Sequence, residues 1–164
     1  MRDALLGFVV MSYPRSLETA LLLIAHGSRH QPANDDLKAM ANRLAELAEY
    51  PIVEPAFLEL AEPDIAQGGT CCVERGATRV LMIPYFLAAG VHLLRDLTAA
   101  RDALRGKYPD VDVQLGAPLG PHYLLDQLVL ERANQLDRDG ESRNLPSAKL
   151  MAATYQPMGD PDSD

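Results

Sequence analysis

Three side chains in this 164-residue chain have the types and placement to hold a divalent cation: His26, Glu59 and His92. Two imidazoles and a carboxylate suit a borderline ion such as iron(II), cobalt(II), nickel(II) or zinc(II), with the carboxylate compensating charge. Three protein ligands leave coordination positions open, as a site that must release its metal requires. Occupancy of such a site falls in acid, because the ligands bind only when deprotonated. An imidazole freed from a metal is also a base active near neutral pH, so His26 and His92 are the candidate proton acceptors. Singly, each residue has a plainer reading. A histidine at a strand end is commonly a hydrogen-bonded surface group, and most glutamates are simply solvated. The three gain weight together because each follows an apolar, strand-like run.

Those runs alternate with helical patterns. Residues 21–25 form a continuous aliphatic run, as in a parallel strand buried on both faces. Gly27-Ser28 breaks it, and Leu37, Met40, Ala41, Leu44, Leu47 and Ala48 keep helical spacing from about residue 32 to 49. A second strand is expected over 52–58, pushed toward a sheet edge by Pro55, which lacks a ladder donor. A second helix is expected from near Pro63 to Arg75. Gly68-Gly69 inside it costs about 1 kcal/mol per glycine relative to alanine or marks close backbone packing. Residues 79–84 read as the third strand, 85–91 as a loop and 93–104 as the third helix. Residues 111–115 read as the fourth strand, and 121–136 as a fourth helix with Leu124, Leu125, Leu128 and Val129 as its apolar stripe. Four βα units imply an α/β fold: a four-stranded parallel sheet with helices on both faces and right-handed crossovers. A flavodoxin-like order 2-1-3-4 suits the edge-like second strand. In such sheets ligands bind beyond the carboxyl ends of the strands, which brings His26, Glu59 and His92 to one rim.

Composition bounds the rest. The length fits one domain, expected over 19–138, with a leader of uncertain order over 1–18 and a disordered Asp-, Gly-, Ser- and Pro-rich tail over 139–164. Hydrophobic residues make up 48% and the formal charge is −8 at pH 7, which argues against a general binder of nucleic acid or anionic membrane. No run is long enough to span a bilayer. The only cysteines, Cys71 and Cys72, are adjacent on a helical pattern and poorly placed to pair, which fits a reduced, cytoplasmic protein. Arg29 and Arg95 lie near the proposed ligands and suit carboxylate recognition. Backbone amides at Gly27-Ser28 are further candidates for substrate binding, and His122 follows the fourth strand as another. His30 lies beyond the turn and reads as a solvated loop residue.

The order of these segments resembles the class II sirohydrochlorin chelatases. The resemblance rests on Leu23-Ile24-Ala25-His26-Gly27-Ser28-Arg29, on Phe57-Leu58-Glu59 followed by Pro63, on the segment from Pro84-Tyr85-Phe86-Leu87 to Gly90-Val91-His92, and on Gly116-Ala117-Pro118-Leu119-Gly120-Pro121-His122. It runs from about residue 20 to 136. It implies a chelatase-like half-lobe that inserts cobalt(II) or iron(II), with nickel(II) a further candidate, into sirohydrochlorin without a nucleotide, toward cobalamin or sirohaem. The family's metal-binding His, Glu and His fall on His26, Glu59 and His92, and short family members work as homodimers. The leader, the tail and Leu97-Thr98 after Asp96, where many relatives have a proline, depart from the pattern. A non-enzymatic metal or tetrapyrrole carrier is the alternative. A histidine phosphatase is weaker still, since those enzymes use Arg-His-Gly and here Arg29-His30 is followed by Gln31.

Overall fold

The computed structural model describes residues 18–47 and 50–139. Apart from Glu18 and Asp139, the expected leader and tail lie outside the described residues. Among the described residues eight elements alternate: β1 (Thr19–Ala25), α1 (Gln31–Leu47), β2 (Ile52–Phe57), α2 (Ile65–Glu74), β3 (Arg79–Pro84), α3 (Val91–Lys107), β4 (Asp112–Leu115) and α4 (Tyr123–Asp139). The strands pair in parallel in the order β2-β1-β3-β4, the order expected from the sequence.

Strand β1 is aliphatic from Ala20 to Ala25 because both of its faces are covered. Ala20, Leu22 and Ile24 join a core with Ile65 and Cys72 of α2 and Leu97 and Leu104 of α3. Leu21 and Leu23, on the alternate face, join a second core with Leu37 and Ala41 of α1. The period of two along a strand sorts these residues between the two layers. Pro55 lies on β2, whose only ladder among the described residues is to β1, and an edge is where a missing donor is tolerated.

Helix boundaries follow from capping. Helix α2 begins at Ile65, not near Pro63, because Asp64 forms a capping box. Its side chain accepts from the Gln67 backbone at 2.7 Å, while the Gln67 side chain accepts from the Asp64 backbone at 2.8 Å. The two glycines of α2 mark close packing, not a break. A Cβ on Gly68 would lie 2.9 Å from Leu22 Cδ1, and one on Gly69 would lie 2.7 Å from Leu104. Helix α3 begins two residues earlier than expected, since Gly90 takes an extended N-cap conformation. His92 is therefore the second residue of the helix and does not precede it.

The described residues fall into two compact units, divided between Pro121 and His122. The first holds the whole sheet with α1, α2 and α3. In the second, α4 extends three residues beyond its expected end, and Leu124, Leu128 and Val129 of its apolar stripe are exposed. Among the described residues no helix is long and apolar enough to cross a membrane.

Candidate metal centre

His26 is the first residue after β1, and Glu59 lies two residues beyond β2. The ladder between these strands continues past their ends: Leu58 N–H donates to Ala25 O at 3.0 Å and Glu59 N–H to His26 O at 3.1 Å. Gly27 sits in the left-handed region at φ 92°, and a Cβ there would fall 1.9 Å from the Glu59 carbonyl oxygen. Only glycine lets the two turns cross so closely. Leu60, next to Glu59, has φ 62°, and the loop returns to β2 through Phe57 N–H donating to Pro63 O at 2.9 Å. The result is a direct contact between His26 Nε2 and Glu59 Oε1 at 2.9 Å, with both side chains about 60% exposed (62% and 58%).

That contact defines what the pair can do. In a neutral ring, Nε2–H donates to the carboxylate and leaves Nδ1 as the nitrogen with a free lone pair. A cation entering between the two side chains displaces the shared proton, so binding and proton release are coupled. The pair opens on a cleft of about 760 Å³, also lined by Leu58, Ile65, Phe86, Leu93, Asp96 and Ala100. Most of that lining is apolar, which suits a large flat ligand with few polar groups at its centre.

The other expected site residues are placed less simply. His92 is exposed on the first turn of α3 and is not among the side chains lining the cleft. Among the described residues no three His, Cys, Asp or Glu side chains come close enough together to hold a metal ion. His26 and Glu59 are thus brought together, and His92 is not. Arg29 and Arg95 are exposed, and Arg95 Nε lies 3.7 Å from Asp96 Oδ1. The Ser28 amide is not free for a substrate carboxylate: it donates to Asn34 Oδ1 at 2.9 Å. The Ser28 hydroxyl accepts from the His30 amide at 3.0 Å. His122 belongs to the second unit, where its Nδ1 accepts from Leu124 N–H at 3.2 Å at the start of α4.

Two residues of this region carry a sequence signal that the strand-end argument passes over. Asn34 is in phase with Leu37 and Ala41, the buried stripe of α1, and is itself only 3% exposed. Its Nδ2 also donates to Ser28 O at 2.8 Å, so one amide holds both backbone groups of Ser28. Asp96 is in phase with Leu93 and Ala100 on α3 and lines the cleft with them.

The CbiX family model matches residues 20–136. A protein of Arabidopsis thaliana named sirohydrochlorin ferrochelatase, chloroplastic, is 38% identical over 112 residues, covering 68% of this chain and 50% of its own length. A sirohydrochlorin cobaltochelatase of Methanococcoides burtonii is 30% identical over 129 residues, covering 74% and 98% respectively. The solved structure of the sirohydrochlorin chelatase SirB from Bacillus subtilis subspecies spizizenii, in complex with cobalt, superposes with a TM-score of 0.67 at 29% identity. That superposition covers 72% of this chain and 50% of SirB. The chain spans about half the length of the Arabidopsis and Bacillus proteins, and nearly all of the Methanococcoides one.

Proposed function

The chain belongs to the CbiX family, and from that premise we propose that it inserts cobalt(II) or iron(II) into sirohydrochlorin without a nucleotide. The observation that carries this reading is the contact of His26 with Glu59 at the mouth of an apolar cleft. In the proposed reaction these two side chains take the cation from water, and His92, from the first turn of α3, supplies the third ligand once it is loaded. The macrocycle lies in the cleft, its peripheral carboxylates paired with Arg29 and Arg95. As the metal passes to the ring nitrogens, an imidazole released from it accepts a ring proton.

A homodimer in the cytoplasm completes the proposal. A second copy would match the length of the longer relatives and cover exposed apolar residues such as Leu128 and Val129 of α4. Cys71 and Cys72 are free thiols, in keeping with a reducing compartment.

The test is anaerobic absorbance spectroscopy of the purified protein with sirohydrochlorin and cobalt(II) or iron(II). Wild type is expected to insert metal well above the solution rate, and His26→Ala, Glu59→Gln and His92→Ala to lose on the order of 10²-fold or more. If His26→Ala and His92→Ala match wild type, the ligand assignment is wrong. Binding of metal and macrocycle without acceleration would make the protein a carrier.

A further inference from the structure

Replacing two ring N–H protons by a divalent cation requires two proton acceptors, and the cleft presents three titratable side chains: His26, Glu59 and Asp96. His26 and Glu59 are bonded to each other at 2.9 Å and, on the reading above, hold the metal before transfer. A lone pair engaged by a metal cannot accept a proton, so neither is available when the first N–H must ionise. Asp96 differs in each respect. It comes from α3, on a cleft-facing stripe whose other members, Leu93 and Ala100, are apolar. It makes no compact metal-holding group with the pair. Among the described residues its ionic neighbour is Arg95 at 3.7 Å, and both side chains are mostly exposed, Asp96 at 61% and Arg95 at 74%. An exposed pair at that distance neutralises the carboxylate only weakly.

We propose that Asp96 is the acceptor of the first ring proton during metal insertion. The inference rests on the chelatase reading and deepens it. As the cation begins to bond to the ring, it withdraws charge from the pyrrole nitrogens and makes the remaining N–H more acidic. The N–H bond breaks, its electron pair stays on nitrogen and binds the metal, and the proton passes to a carboxylate oxygen of Asp96. From there it leaves to water, which the exposure of the side chain allows. The second proton goes to the imidazole that the departing metal releases. Metal cation and diprotonated ring thus give metallated ring and two protons, with no oxidant or reductant.

The experiment compares wild type, Asp96→Asn, Asp96→Glu and His26→Ala in two measurements: equilibrium binding of cobalt(II) to the protein alone, and anaerobic single-turnover insertion of cobalt(II) into sirohydrochlorin. Asp96→Asn preserves shape and removes the base. It is expected to bind cobalt(II) within about twofold of wild type and to insert it 10- to 100-fold more slowly, within the range of general-base effects, while Asp96→Glu recovers most of the rate. His26→Ala is expected to lose cobalt(II) binding. If Asp96→Asn inserts at the wild-type rate, Asp96 takes no proton, and the chelatase reading stands without it. If Asp96→Asn loses cobalt(II) affinity as His26→Ala does, Asp96 is a ligand and the proposal fails. A wild type that does not accelerate insertion overturns the chelatase reading and this proposal together.

Discussion

Ser28 has both of its backbone polar groups tied to one buried amide, and that amide fixes the turn carrying His26. Asn34→Ala would leave the Ser28 N–H and C=O without their partner in a half-buried position, at a cost of about 2 kcal/mol for the two groups. Chemical denaturation should read that loss. A purely structural role would end there. A positioning role predicts in addition that cobalt(II) binding to the folded variant weakens by about tenfold, because the His26–Glu59 contact depends on where the turn sits. Unchanged cobalt(II) affinity would confine Asn34 to stability. The His26–Glu59 neighbourhood was legible in the sequence because strand ends in a parallel sheet share a rim, and both residues directly follow apolar runs. Asn34 was not, since a polar residue ahead of Leu37 reads as part of the solvated face of α1 until its phase with Leu37 and Ala41 is noticed. The close crossing at Gly27 was visible only as a break, because a glycine in sequence does not say which carbonyl takes the place of its side chain.

Helices α2 and α3 carry the same residue, glycine, for opposite reasons, and the difference can be measured. At Gly68 an added methyl would meet Leu22 Cδ1 at 2.9 Å, Ala56 Cβ at 3.1 Å and the Pro55 carbonyl at 3.3 Å, while at Gly106 it would meet nothing within 4 Å. Alanine gains about 1 kcal/mol of helix propensity at either position, but crowding a packed contact costs about 1–3 kcal/mol. Gly68→Ala is therefore expected to lower the melting temperature and Gly106→Ala to raise it slightly. Equal shifts of the same sign in both would remove the packing explanation. The sequence left Gly68-Gly69 open between a weak helix and close packing, and it took the positions of Leu22 and Leu104 to decide. The start of α3 was illegible for a related reason. Gly90 can take the extended N-cap conformation without a side-chain cap, so no Ser, Thr or Asp announced the helix, and its expected start fell at residue 93, just past His92. The stripe on α4 shows the limit of periodicity: it says that an apolar face exists, not what covers it.

Across the whole molecule, the sheet order followed from where the continuous aliphatic runs and Pro55 fell, because a strand covered on both faces and an edge strand have different compositions. The adjacent cysteines were read from their spacing on a helix, and their environments now set a limit on the alkaline side of stability. Cys72, on α2, is fully buried in the core beneath the sheet, and burial pushes its thiol from an ordinary 9.0 up to about 12, with Glu54 adding to the effect. Cys71 is raised as well, first by burial. The folded chain thus favours the neutral thiol. Below about pH 9 the thiol is protonated in both the folded and unfolded chains, and stability does not depend on this group. Between about pH 9 and 12 the unfolded chain releases the proton while the folded one retains it, so stability falls by about 1.4 kcal/mol per pH unit. Thermal melts of wild type and Cys72→Ala from pH 7 to 10.5 isolate the contribution. The variant is expected to be less stable at pH 7, because it leaves a cavity in the core. Its deficit should then shrink as pH rises past 9, since it has no thiol to lose. Melting curves that run parallel across that range would mean that Cys72 ionises in the folded protein as readily as in the unfolded one, and that the core around β1 is open to water.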